Sequence, residues 1–168
     1  MIGRLIYSWA FSLITCGAYA VETQPVEVLG FPAPFVITVS ATIGEIRAPV
    51  HVTIAGLAQI SPRDDPAQFL KAVAAICPPG TYVAVSIIED HDAYAQGGRL
   101  RGFIFFDRES PAGMERTCLQ IELLKQGYAR QWDGVDGIPI ELGKLFVSGE
   151  LAAITVSAGF WGLLGLPD

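Results

Sequence analysis

The chain has 168 residues, of which 51% are hydrophobic and 17% are charged, and its formal net charge is −6 at pH 7. This composition excludes a disordered chain, which needs low hydrophobicity and high charge, and the length suits one domain with a core of its own. The acidity argues against a protein that binds nucleic acid through a basic face.

The first twenty residues are predicted to be a cleaved signal peptide. Arg4 precedes an apolar run at 5–14, and the small-residue site A-Y-A follows at 18–20. The run is shorter than the ~20 residues that a membrane span needs. We therefore expect cleavage after Ala20 and a secreted or periplasmic protein without a membrane span. Because this segment holds one base and no acid, its removal changes the net charge from −6 to −7.

We expect residues 21–168 to form one domain with its core at about 26–163. The first half of this domain has the pattern of strands followed by a helix. Short β-branched runs separated by glycine and proline predict strands over 26–30, 35–40 and 49–56. Asp65 is a good N-cap and Pro66 a good first helical residue, so a helix is predicted to begin there and to end before Cys77.

The second half is predicted to add two strands and two helices. Alternating runs predict strands over 81–89 and 99–106. Thr117 and Gln120 have the spacing of a capping box, which predicts a helix that ends before Gly127, and a third helix is predicted over 140–157. Five strands with a helix between the third and the fourth indicate an α+β protein, a five-stranded β-barrel of the OB type with three helices.

Two cysteines, Cys77 and Cys118, remain once residues 1–20 are removed. An even pair in an oxidising compartment indicates a disulfide, which would stabilise the fold by about 3–4 kcal/mol in the chain-entropy model. We expect this bond, and the alternative is two buried free thiols. Two cysteines without paired histidines do not make a zinc site.

Several short motifs stand in an order that is typical of one family. Residues 52–61, V-T-I-A-G-L-A-Q-I-S, correspond to V-R-L-x-G-I-D-x-P-E, and D-A-Y at 92–94 followed by G-R at 98–99 corresponds to an interrupted D-x-Y-G-R. Residues 119–129 correspond to a helix segment that ends in L-V-x-x-G-x-A, and G-F-W at 159–161 to a closing G-x-W. Over roughly residues 26–163, the chain resembles the staphylococcal nuclease (thermonuclease-like) family, whose fold is a five-stranded OB barrel with three helices.

The resemblance implies calcium-dependent cleavage of phosphodiester bonds in DNA and RNA, but the residues that this chemistry needs are replaced. The calcium motif D-G-D-T falls on F-P-A-P at 31–34, and the second metal aspartate falls on Ala58. The general-base glutamate falls on Ser61, and the first phosphate-binding arginine on Thr53. Without these carboxylates and this guanidinium, we expect no calcium cofactor and no nuclease reaction.

Among the family's metal-binding, general-base and phosphate-binding positions, Arg99 is the one that is retained, as the second phosphate-binding arginine, and it is the candidate catalytic residue. Arg101 lies on the same face of the predicted strand, and Tyr94 is close in sequence, so these two are candidate binding residues for an anion or a stacked base. On an acidic chain, ion pairing with surrounding acids is the competing interpretation. Trp132 is expected to be partly exposed.

A relocated metal site is the remaining possibility for metal chemistry. The sequence E-D-H-D at 89–92 is the densest group of candidate ligands, and Asp64 and Asp65 are others within reach of a folded chain. Calcium needs 6–8 ordered oxygens, so we expect 89–92 to be a solvated loop and assign no metal ligand.

We therefore expect a secreted, thermonuclease-like OB-fold protein that is catalytically inactive and has a binding or structural role, with no nucleic-acid partner. One alternative is a metal-dependent nuclease for DNA or RNA whose site is rebuilt around Arg99 and the acids at 89–92. Another is a membrane-associated periplasmic protein anchored by residues 151–166, which include a long stretch without charge.

Overall fold

The computed structural model describes residues 21–22, 25–43, 45–61, 64–88, 100–111, 113–132 and 138–164. The strands are β1 (Val21–Glu22), β2 (Val26–Ala33), β3 (Val36–Ile43), β4 (Ile46–Ile54), β5 (Leu57–Ala58), β6 (Tyr82–Ile87), β7 (Leu100–Ser110), β8 (Gly113–Cys118) and β9 (Arg130–Gln131). The helices are α1 (Pro66–Ile76), α2 (Leu119–Lys125), α3 (Ile140–Thr155) and a 3₁₀-helix (Gly159–Leu163). The predicted signal peptide at 1–20 lies outside the described residues.

Five of these strands close a β-barrel in the order β2-β3-β4-β7-β6, and β6 pairs back onto β2. β4 and β7 run parallel, with Thr53 beside Arg101, and the other barrel pairs are antiparallel. α1 connects β4 to β6, whereas α2 and α3 follow the last barrel strand. This is an OB-like α+β fold, so the predicted five-stranded barrel with three helices is confirmed.

The start of α1 follows the sequence signals. The Asp65 carboxylate accepts a hydrogen bond from the Ala67 N–H at 2.9 Å, and Pro66 is the first helical residue. The helix ends at Ile76, before Cys77, as predicted. Its apolar side is buried, which holds α1 against the barrel.

The predicted capping box at the start of α2 is wrong. Thr117 belongs to β8, and α2 begins at Leu119 without a side-chain cap. Gln120 is fully buried, where its side chain donates a hydrogen bond to the Gly102 carbonyl oxygen and accepts one from the Ile104 N–H. The capping position is lost because the Gln120 amide satisfies backbone groups of β7 inside the core.

The strands β7 and β8 form a long hairpin that the sequence pattern did not indicate. β7 continues to Ser110, beyond its predicted end at Phe106, and β8 pairs with it along its whole length. Asp107 lies opposite Arg116 in this hairpin. Its outer part is exposed and charged, so it lacks the apolar alternation by which a half-buried strand is recognised.

α3 closes the core with one side and leaves its other side in solvent. Phe146 and Ala153 are fully buried, and the Phe146 ring meets the Phe103 ring edge to face at a centroid distance of 6.1 Å. The helix ends close to its predicted limit, because Ser157 adopts a left-handed conformation with φ 50°. Leu151 is among the exposed apolar residues on the other side.

Cys77 and Cys118 are buried free thiols, so the disulfide expected between them is not formed in the structure. Each thiol has its own hydrogen-bond partner, Thr81 for Cys77 and Gln120 for Cys118. Burial raises the pKa of Cys77 to about 11 and the pKa of Cys118 to about 12. The alternative of two buried thiols is therefore the one that is observed.

Candidate functional site

The described positions that the resemblance aligns with functional residues of the thermonuclease-like family lie at one end of the barrel, around the end of β4. The Ile54 N–H donates a hydrogen bond to the Phe35 carbonyl oxygen at 2.8 Å, which brings the β2–β3 turn to this end. Thr53 lies beside Arg101 in the parallel pair, and Ala58 follows in β5. We call these residues, together with Ser61, the barrel-end site.

Gly56 makes the sharp turn that carries the chain from β4 into β5. Its φ of 76° is in the left-handed region, and a Cβ added there would lie 2.8 Å from the Phe146 ring. Only glycine fits both the conformation and the space. Gly56, the glycine of the motif at 52–61, is therefore needed for the turn of the backbone between β4 and β5.

Residues 31–34, on which the resemblance places a calcium motif, run from the end of β2 into the β2–β3 turn. Residues 31–34 contain no carboxylate. The Phe35 ring packs on the Phe69 ring of α1, with centroids 4.5 Å apart. This contact joins the turn to the first helix, and it offers no oxygen ligand for a cation.

Two acids beside this site, Asp64 and Asp65, accept hydrogen bonds from backbone N–H groups. Asp64 Oδ2 accepts hydrogen bonds from the N–H groups of Ile60 and Ser61, each at 2.9 Å. Asp65 caps α1. Among residues 21–22, 25–43, 45–61, 64–88, 100–111, 113–132 and 138–164, no three His, Cys, Asp or Glu side chains are grouped as they would be around a metal ion.

Arg101 lies over the ring of Trp132, with the guanidinium carbon 5.4 Å from the ring centroid. The expected partial exposure of Trp132 is confirmed, since 43% of this residue is accessible. Its backbone N–H donates to the Gly56 carbonyl oxygen at 3.1 Å, so the ring is attached to the turn after β4. The pair combines a cation with an exposed aromatic face beside the barrel-end site.

Arg130 is a further basic residue at this site, and the sequence reasoning did not identify it. It pairs with Ala58 between β9 and β5, and its Nε donates to the Gln59 carbonyl oxygen at 2.9 Å. The signal in the sequence is the alternation of a base and an aromatic residue, Arg130 and Trp132. The alternation alone does not place Arg130 at this site, because its position there depends on the pairing of β9 with β5.

The other predicted site residues lie outside the part of the chain that the structure describes. These are the candidate catalytic Arg99, the candidate binding residue Tyr94 and the acids at 89–92. Of the candidate catalytic and binding residues, Arg101 alone is within the described strands.

Two more glycines from the family-like motifs lie where the end of α2 meets the 3₁₀-helix. Gly127 has φ 72° and Gly159 has φ 54°. A Cβ on Gly127 would overlap the Ala158 carbonyl oxygen, and one on Gly159 would overlap the Gln126 carbonyl oxygen. The Phe160 N–H donates to the Gly127 carbonyl oxygen at 2.8 Å, so the two motifs bind each other through the backbone.

A cluster of charges links α2 to the β7–β8 hairpin. The Glu122 carboxylate is 3.0 Å from Arg108 Nη1 and 3.2 Å from Lys125 Nζ, and 8% of its side chain is exposed. Burial alone would raise the pKa of Glu122, but Lys125 and Arg108 outweigh burial and lower it from the usual 4.5. This cluster joins two elements of the fold.

Neither the comparison with protein-family models nor the comparison with curated proteins finds a match for this chain.

Proposed function

We propose that the chain is an exported, degenerate member of the thermonuclease-like family, which keeps the family's barrel, lacks its nuclease activity and has a binding or structural role. The observation that carries this proposal is a contrast between two sets of motif positions. The glycines that allow the backbone turns are retained, whereas the metal ligands, the general base and the first phosphate-binding arginine are replaced.

The retained positions support the family assignment through their backbone roles. Gly56, Gly127 and Gly159 each come from a different motif, and each has a positive φ and no room for a Cβ. The five-stranded barrel, with one helix between its third and fourth strands and two helices after its fifth, is also compatible with the fold that the resemblance implies.

The replaced positions support the loss of nuclease activity. Thr53, Ala58 and Ser61 carry no charge, and Asp64 and Asp65 accept hydrogen bonds from nearby backbone N–H groups. Removing one well-placed electrostatic group from an active site costs a factor of about 10²–10³ in rate. Losing the metal ligands and the general base together removes the mechanism of phosphodiester cleavage, although the effects of single losses do not simply add.

The Arg101–Trp132 pair is the best candidate for a binding role. A guanidinium above an exposed indole, with Arg130 two residues before Trp132 in the chain, suits a small anionic or aromatic ligand. A long nucleic acid is a poorer fit, because the net charge of −6 repels a polyphosphate.

The competing function is that of a metal-dependent nuclease rebuilt around Arg99 and the acids at 89–92. The test is to incubate the purified chain with fluorescent single-stranded DNA and RNA in calcium, magnesium or EDTA, with staphylococcal nuclease as the positive control. We expect no cleavage above that in buffer. Cleavage that needs a divalent ion would contradict the proposal.

A further inference from the structure

The C-terminal helices present an extensive apolar surface to solvent. The exposed large apolar residues of this region are Ile140, Leu145, Val147, Leu151, Val156, Leu163 and Leu164. By length and composition, the stretch Ile140–Leu163 is apolar enough to cross a membrane, and only 22% of its most apolar part is buried. The apolar character therefore does not come from burial in the core, which would leave little of such a helix exposed.

The end of this stretch combines exposure with a complete lack of charge. Residues 151–164 contain no ionisable side chain. The 3₁₀-helix folds back on the end of α3, so that a Cβ on Gly162 would lie 2.6 Å from the Ser157 carbonyl oxygen. Val156 is 71% exposed and Leu163 is 74% exposed, and Leu164 follows. We call Val156, Leu163 and Leu164 the C-terminal tip.

The folded chain cannot use this stretch to span a bilayer. α3 has 16 residues. At about 1.5 Å per residue, the helix is shorter than the ~30 Å hydrocarbon layer. Ser157, in a left-handed conformation, separates α3 from the 3₁₀-helix, and the buried side chains of Phe146 and Ala153 hold α3 in the core. Insertion of the tip to the depth of the interface leaves all of these contacts in place.

A lipid surface suits the tip better than a protein partner does. Protein interfaces surround their apolar centre with a polar and charged rim, which fixes orientation and partner choice. The tip and the residues between its members offer no charge for such a rim. A lipid interface requires apolar area alone, and the acidic chain favours uncharged over anionic headgroups.

We propose that the C-terminal tip docks into the interface of a bilayer with zwitterionic headgroups and holds the barrel at the membrane surface. Phe160, which lies between the members of the tip, is buried in the core and meets the Tyr128 ring edge to face at a centroid distance of 5.4 Å. The tip is therefore fixed to the folded domain, so its docking would position the whole barrel. This inference goes beyond the proposed loss of nuclease activity and does not depend on it.

The test is flotation of residues 21–168, the protein that remains after the expected cleavage, with phosphatidylcholine vesicles. Val156→Glu combined with Leu163→Glu places two charges on the tip at positions where the side chains do not pack in the core. The matched control is Ile46→Glu combined with Met114→Glu, because Ile46 and Met114 are exposed to 69% and 67% but belong to β4 and β8. Circular dichroism checks that both double variants fold.

We expect the wild type and the control to float, and the tip variant to partition at least about tenfold less, since each apolar side chain moved from water contributes about a factor of ten. All three begin at Val21, so the apolar run at 5–14 does not contribute to flotation. Partitioning should not fall in high salt and should not rise with anionic lipid. Equal flotation of the wild type and the tip variant would overturn the proposal. If the wild type forms a dimer without lipid and the tip substitutions dissociate it, the proposal is also overturned, and the tip is then an interface between two copies of the chain.

Discussion

Gln120 of α2 donates a hydrogen bond from Nε2 to the carbonyl oxygen of Gly102 in β7, at 3.0 Å, inside the core. The same oxygen accepts from the Ala55 N–H at 3.0 Å, and the Ile104 N–H donates to Gln120 Oε1 at 3.2 Å. One buried amide therefore satisfies backbone groups where β4 ends beside β7. It fixes α2 to the barrel at the same point.

We expect Gln120→Leu to destabilise the protein strongly. The substitution keeps the volume but leaves the Ile104 N–H without its acceptor and weakens the bonding of Gly102. An unsatisfied buried group costs about 1–3 kcal/mol, so the free energy of unfolding should fall by about 2–4 kcal/mol in urea denaturation. Gln68→Leu is the control, since Gln68 is exposed on α1. A loss no larger than that of the control would mean that the network contributes nothing.

A comparison of the motif glycine Gly127 with Gly80 gives a second prediction. It separates the cost of a strained backbone conformation from the cost of steric overlap with a Cβ atom. Gly80 and Gly127 both have positive φ, 89° and 72°, but a Cβ on Gly80 meets nothing within 4 Å. Gly80→Ala should therefore cost about 1 kcal/mol of strain alone. Gly127→Ala adds overlap with the Ala158 carbonyl and should cost about 3 kcal/mol or more. Equal changes in thermal unfolding for the two variants would show that the contact between the motifs is not tight.

The Glu122 cluster predicts how stability depends on pH. Because the pKa of Glu122 is lowered in the folded state, its contribution is complete above the unfolded pKa of about 4.5 and is lost as pH falls through the folded value. Glu122→Gln should cost about 1–2 kcal/mol at pH 7, less than for a fully buried pair, because Arg108 and Lys125 are half exposed.

The measurement is the free energy of unfolding of the wild type and Glu122→Gln between neutral and acid pH. The difference should shrink as the pH drops below 4.5. Glu141→Gln is the control, because Glu141 pairs with Lys144 on the exposed surface of α3. A difference that stays constant across this range would refute the role given to the Glu122 charge.

The two thiols should be protected until the chain unfolds. With the pKa of Cys77 at about 11 and that of Cys118 at about 12, little thiolate forms at pH 8, and burial blocks access. Peptide mapping after iodoacetamide treatment should find both cysteines unmodified in the native protein and both alkylated in denaturant without reductant. A linked pair of peptides would instead identify the disulfide.

The elements with local signals were predictable from the sequence. Asp65 and Pro66 mark the start of α1 because capping acts between neighbouring residues. The five barrel strands follow from β-branched runs and their separators. The β7–β8 hairpin was not predictable in this way, because its paired charges, such as Asp107 opposite Arg116, lie in solvent and show no apolar alternation.

The site was harder to predict, because its contacts join distant parts of the chain. The uncharged residues Thr53, Ala58 and Ser61, at positions where the proposed family has charged ones, were visible in the sequence. The Arg101–Trp132 contact depends on the pairing of β5 with β9, and the burial of Gln120 depends on the closure of the barrel. Neither follows from local pattern.

The most direct measurement of the central claim is the rate of cleavage of single-stranded DNA by the wild type and by Arg99→Ala in calcium. If the chain lacks the nuclease reaction, as we propose, Arg99 has no reaction to assist. We therefore predict that the two rates are equal and indistinguishable from buffer. A wild-type cleavage rate above that in buffer, abolished by Arg99→Ala, would contradict the account and identify an active nuclease.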